Sequence, residues 1–301
     1  MNQYLRPKKR RVTDTVLRRT GIAVLCLLLV AVASFVAAFF VTMPKAPAAA
    51  PPASGIARPV PLTRSILLLF TRTQQSADAS GGNPVTLPCA LFLVRPDYGA
   101  GAITLSAVPL TLRCTVGNRT DSLAGLYTYG DFPLLKEGFE QALNITPDRY
   151  AVIPITGGAT VIDQLGGVGC DVPQTIPGGD VSAGEVPVSA GSQTLTGAMA
   201  MAALLYTGWS GGETQRLSVQ QGILAALINQ NAVADTLPKM AGLFALFSNN
   251  SRGNLSFEDF AADFPAMSAF TASSPVREVA FPQDAGDAAA LCAFAKNFGA
   301  S

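Results

Sequence analysis

The 301-residue chain contains no histidine and a single tryptophan. Without an imidazole, Ser-His-Asp and Cys-His nucleophilic mechanisms and His-ligated metal centres are excluded together. Charge is scarce as well. Asp, Glu, Lys and Arg make up 14% of the residues, where an average soluble domain carries about a quarter. With 49% hydrophobic residues, the chain is too apolar for disorder over most of its length. The net charge of +1 conceals an asymmetry, because residues 1–19 hold 7 of the 21 basic residues and 1 of the 20 acidic ones. The remainder has 14 basic against 19 acidic residues, a balance of −5. That balance argues against a nucleic-acid partner for the main domain.

The longest apolar run, Gly21–Met43, carries no charge over 23 residues. At ~1.5 Å per residue it spans about 34 Å, enough to cross a bilayer core. The basic tail 1–19 precedes it, so the positive-inside rule predicts a cytoplasmic N-terminus, a single membrane helix over 20–43 and an exported remainder. A cleaved signal peptide is the alternative reading, with Ala46-Pro47-Ala48 resembling a cleavage site. Its apolar core would be only about 7–15 residues long, which favours an uncleaved anchor. Residues 44–62 are rich in Pro and Ala, the composition of a semi-stiff spacer.

Beyond the spacer, short apolar runs bounded by polar or glycine residues predict strands at 65–70, 90–94, 102–110 and 150–155. Helical spacing predicts helices over 132–143, 159–165, 196–205, 217–230 and 236–247. Asn144–Pro147 ends the first of these and Gly166-Gly167 the second. A Gly- and Pro-rich loop covers 173–191. The mixture predicts an α/β domain of about 200 residues, large enough for a substantial core. It is assigned to 63–265, with a weakly patterned, loosely docked extension over 266–301.

Four cysteines, Cys89, Cys114, Cys170 and Cys292, follow the span, and Cys26 lies within it. Export favours at least one disulfide among the four, with three pairings open. The alternative is four small buried apolar side chains. Two motifs resemble catalytic or metal-binding ones. Gly208–Gly212 fits a G-x-S-x-G elbow, but no base exists and it follows a helix rather than a strand, so it reads as a loop. Ser248–Asp259 fits a calcium loop poorly, since Ser248 and Arg252 occupy positions that call for acids. Triplets of the N-x-[ST] type begin at Asn118, Asn144, Asn249 and Asn254 and carry meaning only in a glycosylating system.

Three stretches carry a family resemblance: Tyr127–Ile145, Asp148–Pro173 and Leu195–Asn229. The second contains the run V-I-D-Q-L-G-G-V-x-C-D-V-P, which is the most specific part. In order and spacing, over roughly Arg64–Asp263, the chain resembles the LytR–CpsA–Psr family of bacterial envelope proteins. The resemblance implies an α/β/α fold with a central mixed sheet, preceded by one transmembrane helix. It also implies an apolar pocket for a polyprenyl chain. Active members transfer a glycopolymer from a polyprenyl-pyrophosphate carrier to peptidoglycan, often with magnesium. Such chemistry needs arginines on phosphate oxygens and acids on the metal or acceptor.

This sequence departs from that pattern at most of those positions. The family's Arg-Ser-Asp-Thr falls on Thr86-Leu87-Pro88-Cys89, and its Pro-Arg-Asp on Pro109-Leu110-Thr111. Its Lys-Ile-Asn falls on Ser122-Leu123-Ala124, and its paired arginines on Thr207 and Trp209. Arg216 and the following Gln220 and Gln221 persist and are the substrate-binding candidates. No catalytic or metal-ligating residue is assigned. Arg113, three positions beyond Leu110, is expected on the opposite face of a strand, and Arg95 and Arg119 read as surface charges.

Together these readings predict a membrane-anchored, extracellular pseudoenzyme of cell-envelope assembly, with one membrane span. Its expected partners are a polyprenyl-linked lipid or an anionic wall polymer, and an envelope protein. No cofactor is required, and magnesium enters only where activity is retained. Two other readings are an active transferase with a site rearranged around Arg216, Gln220, Arg113 and Arg95, and a structural surface domain.

Overall fold

The structure, a computed structural model, describes residues 64–74, 84–97, 100–178, 186–231, 237–259 and 276–299. The basic tail, the predicted membrane span and the predicted spacer lie outside the described residues. Among those that are described, no helix is long and apolar enough to cross a membrane.

The apolar runs of the sequence form the middle of a six-stranded sheet. Strands β1 (Ile66–Gln74), β2 (Val85–Asp97) and β3 (Ala102–Val108) make an antiparallel meander. Strand β6 (Arg149–Pro154) joins β1 in parallel, which requires the long crossover between them. The outer positions belong to β9 (Arg252–Gly253) and β10 (Val276–Glu278), giving the order β10-β3-β2-β1-β6-β9. Two small hairpins, β4 (Arg113–Val116) with β5 (Arg119–Ser122) and β7 (Val168–Val172) with β8 (Gly191–Leu195), stand apart from this sheet.

Because side chains alternate along a strand, β1 and β2 supply both faces of the sheet. Phe70 and Phe92 pack with Ile162, Met201 and Ile223 of helices α2 (Ile155–Gln164), α3 (Gly197–Leu205) and α4 (Gly212–Asn231). Leu67, Leu69, Leu91 and Leu93 pack instead with Leu126, Leu135 and Phe139 of α1 (Leu123–Leu143). The sheet is thus mixed, central and covered by helices on both faces. Helix α5 (Leu237–Asn249) leads into β9.

Local chemistry sets the boundaries. Ser122 caps α1 by accepting from the Gly125 N–H at 3.0 Å, so the helix begins nine residues before the predicted start. Its predicted portion is the part after a kink at Gly130 and Asp131, where Pro133 enters the helix. Asn144 in the left-handed region ends α1, and Gly166 and Gly167 at φ 87° and 90° end α2. Ile155 opens α2 rather than closing the preceding strand. Helix α4 begins five residues before the expected Leu217, with Glu213 in its first turn where the helix dipole favours an acid.

Two expectations are corrected. The described C-terminal residues are not loosely docked: β10 pairs with β3, and α6 (Ala288–Asn297) buries Phe294 in the core together with Phe281 and Phe298. Three aromatic rings packed in series outweigh the weak periodicity of that stretch. No disulfide forms among the described residues, where Cys89, Cys114, Cys170 and Cys292 are all free. Cys89 and Cys114 sit in cores on opposite faces of the sheet, Cys170 is half-buried in β7 and Cys292 is exposed on α6. Cys89 and Cys114 behave as the small buried apolar side chains of the alternative reading, whereas Cys170 and Cys292 do not.

Candidate binding site

The most specific motif of the sequence builds the scaffold of the site. Asp163, near the end of α2, accepts from the Gly197 N–H at 2.7 Å and so satisfies the first helical donor of α3. Thr196 caps the same helix through the Met199 N–H. This pins the beginning of α3 against α2 and aims its C-terminal end, Leu205–Thr207, at the sheet's first two strands.

There a cavity of about 760 Å³ opens between elements distant in sequence. Leu87, Pro88 and Cys89 of β2, Leu110 after β3, Ala124 and Gly125 of α1, Thr207 after α3 and Arg216 of α4 all line it. All of these but Gly125 are positions that the family resemblance marks, and the fold gathers them around one space. Three successive residues of β2 reach it because the β1–β2 register skips Cys89: Phe70 opposes Ala90 and Thr71 opposes Pro88. A bulge of this kind bends the strand and resets its alternation. Pro88 suits the spot, since it has no N–H to give to the ladder.

Among the described residues, two guanidinium groups reach the cavity. Arg216 is the predicted one, held by Glu213 one turn earlier, with Nε donating to Glu213 Oε2 at 2.7 Å and Nη2 to Oε1. Its side chain is 14% exposed while that of Glu213 is 42% exposed, and the two-point contact fixes the orientation of Arg216. Arg72 is the second, and the sequence reading missed it. The available signal was alternation: Ile66, Leu68 and Phe70 pack on the same side of β1, and Arg72 is the next residue in that row.

The other candidates lie elsewhere. Gln220 and Gln221 are buried at 1% and 6% exposure and line no part of this cavity. Gln220 Nε2 donates to Leu204 O at 2.8 Å, tying α4 to α3. Gln221 Oε1 accepts from the Ala107 N–H at 3.0 Å and its Nε2 donates to Glu278 Oε2 at 3.2 Å, tying α4 to β3 and β10. Both are core braces, because a buried amide needs partners and these groups supply them. Arg113 is exposed on β4 and does not reach the cavity. Arg119 pairs with Asp121 at 2.7 Å and stacks 4.1 Å from the Tyr129 ring, and Arg95 Nη1 donates to Asn297 O at the end of α6. Trp209, at a family arginine position, is buried edge-on to Tyr206. Ser210 is an exposed loop residue bonded to Gln215 and Gln174, with no base beside it.

Cys89 is the one thiol in the cavity wall. Burial pushes it from 9.0 up to about 12, against the opposing influence of Arg72, the Ala90 backbone N–H and Arg216. At pH 8 it is therefore protonated and unreactive. Iodoacetamide at pH 8 is expected to label Cys292 of the folded protein quickly and Cys89 and Cys114 hardly at all. After unfolding without reductant, all four described thiols take the label; a pair that resists until reduced would overturn the free-thiol assignment.

Magnesium requires hard oxygen ligands, usually carboxylates. Among the described residues the cavity lining contains no Asp or Glu, and no cluster of three candidate ligands occurs. The residues present do not fit a magnesium site.

A mixed central sheet with helices on both faces and a cavity at one end of β1 and β2 defines the class, a layered α/β domain. Residues 110–291 match the LytR_cpsA_psr family, and the chain belongs to it. This family serves the attachment of glycopolymers to the cell envelope. The matched range runs past Asp263 into α6, in keeping with the docking of that helix. Among solved structures, B. subtilis TagV is similar at TM-score 0.61 and 21% identity, covering 78% of this chain and 96% of TagV. The LytR-Csp2A-Psr enzyme from Actinomyces oris gives 0.61 and 19%, covering 81% and 92%. TagT bound to LI-WTA gives 0.56 and 20%, covering 81% and 92%. These likenesses carry the fold. No curated protein sequence matches the chain.

Proposed function

We propose that this protein is a membrane-anchored, exported pseudoenzyme that holds a polyprenyl-linked lipid or anionic wall polymer during envelope assembly. Its N-terminal tail stays in the cytoplasm and residues beyond the span face outward. One observation carries the reading. Where transferases of the family place phosphate-binding cations and metal-binding acids, this cavity presents Pro88, Leu110 and Thr207. The scaffold around it, from Asp163 and Gly197 to the buried glutamines, is kept. That TagT has been solved with LI-WTA supports a wall-polymer partner.

Each hydrogen bond to a charged group contributes about 1.5–3 kcal/mol. Replacing several cations and acids by apolar side chains therefore removes most of the transition-state stabilisation a phosphotransfer needs. The full-length chain in detergent micelles, given a polyprenyl-pyrophosphate-linked glycan, peptidoglycan and magnesium, is expected to transfer no polymer. Native mass spectrometry of the same preparation is expected to show bound polyprenyl pyrophosphate. Magnesium-dependent transfer that Arg216→Ala abolishes would establish the active-transferase reading instead. Absence of both transfer and binding would leave a structural surface domain.

A further inference from the structure

We infer that Arg72 and Arg216 form a two-guanidinium clamp that holds a phosphate-bearing headgroup in the cavity without a divalent cation. The inference rests on the reading that this cavity takes an anionic, lipid-linked ligand, and it names the groups that recognise the anion.

Strand β1 carries its helix-facing row, Ile66, Leu68 and Phe70, into the core, and Arg72 extends that row into the cavity. Its register partner across β2 is Leu87, which lines the same space. Arg216 approaches from α4. Arg72, Arg216 and Cys89 all line this one cavity, so the two guanidiniums face the same space. Arg72 has no carboxylate partner among the described residues, whereas Glu213 engages Nε and Nη2 of Arg216. Arg72 is therefore the principal anion-binding group, and Arg216 presents its remaining donors from a fixed orientation.

The lining chemistry selects the ligand class. A planar guanidinium offers two parallel N–H donors that match two phosphate oxygens. The fork of Arg72 and the remaining donors of Arg216, in a wall with no carboxylate among its described residues, attract an anion and repel a magnesium ion, which finds no hard oxygen cage there. The positive charge a metal ion would bring is supplied by the chain itself, through a residue on a different strand from the substituted positions of β2.

The test uses the full-length chain in detergent micelles, titrated calorimetrically with geranylgeranyl pyrophosphate, geranylgeraniol or inorganic pyrophosphate, in EDTA or in magnesium. The prenyl pyrophosphate is expected to bind equally well in both buffers. Arg72→Ala and Arg72→Met, the latter keeping an apolar stem, are expected to weaken it roughly ten- to hundredfold. Arg72→Lys falls between them and wild type, and Arg113→Ala, away from the cavity, changes nothing. Circular dichroism shows that each variant is folded. Binding that requires magnesium overturns the clamp, as does wild-type affinity in the folded Arg72 variants. Equal affinity for the alcohol and the pyrophosphate overturns the clamp while leaving a lipid pocket. If inorganic pyrophosphate binds as tightly as the prenyl form and loses affinity on Arg72→Ala, the clamp stands and the lipid reading fails. If no probe binds, both fail.

Discussion

Gly197→Ala is expected to destabilise the domain by about 3 kcal/mol, the upper end of what overpacking costs in a rigid core. Gly197 is the first residue of α3, and its backbone has no need of glycine's conformational freedom. The cost is steric. A Cβ there would stand 2.1 Å from Ala159 O, 2.6 Å from Ala159 C and 2.7 Å from Ala159 Cα. All three are backbone atoms of α2, so no rotamer change relieves the clash, and the helices must separate. Separation also stretches the 2.7 Å bond from the Gly197 N–H to Asp163. A loss of this size corresponds to a fall in melting temperature of roughly 6–12 °C for a domain of this length. Gly222→Ala is the contrasting case. It lies inside α4 with nothing within 4 Å of its would-be Cβ. Alanine there is expected to stabilise by about 0.5–1 kcal/mol through its better helix propensity. Urea unfolding of both variants checks the pair. Equal midpoints would show that α2 and α3 are not packed through Gly197.

Acid is expected to loosen the domain through Asp259. Its carboxylate accepts from Arg149 Nε at 2.8 Å and Nη2 at 2.7 Å, from Arg64 Nη1, and from the Ser256 N–H at 3.0 Å and hydroxyl at 2.9 Å. The bonds join the entry of β1, the start of β6 and the turn after β9. The Arg149 hydrogen bonds, then those from Ser256, hold the acid well below its ordinary 3.8, outweighing burial, which acts the other way. A depressed folded-state value means that the carboxylate stabilises the fold fully above about pH 4–5 and loses that contribution as pH falls through the folded value. Stability is thus expected to decline steadily below pH 4. Asp259→Asn is expected to cost about 3 kcal/mol at pH 7, since it leaves two arginines beside a neutral amide. The side chain of Arg149 is 34% exposed, which keeps the loss near the lower end for broken ion pairs. The variant should also flatten the acid limb of the pH profile. An unchanged pH dependence in Asp259→Asn would assign the acid sensitivity to other carboxylates.

Much of the layout was legible because it is local. The runs at 65–70, 90–94 and 102–110 announce strands by composition, and each lies in or overlaps a strand of the meander. Asn144 and the Gly166-Gly167 pair end helices as their chemistry requires. The resemblance located cavity positions on four separate elements before any coordinates were considered. What escaped depends on partners far along the chain. Gln220 and Gln221 read as substrate-binding candidates, and only Leu204 O and the Ala107 N–H, 16 and 114 residues away, make them core. Arg72 looks like a polar residue at the end of an apolar strand. It becomes a cavity group only when β2 bulges beside it and α4 crosses above.

The amino-acid sequence by itself determined the class of the protein: a charge-poor chain with an apolar span, no imidazole chemistry, an α/β pattern and the family's specific run around Asp163. These follow from composition and from periods of two and 3.6 residues, which the chain carries whatever its tertiary contacts. Tertiary structure alone decided that the four described cysteines stay free, that the C-terminal aromatics belong to the core and that the described cavity wall carries two arginines and no acid. Each of those outcomes depends on which distant side chains come within a few ångströms. That is settled by packing two helical layers against one twisted sheet.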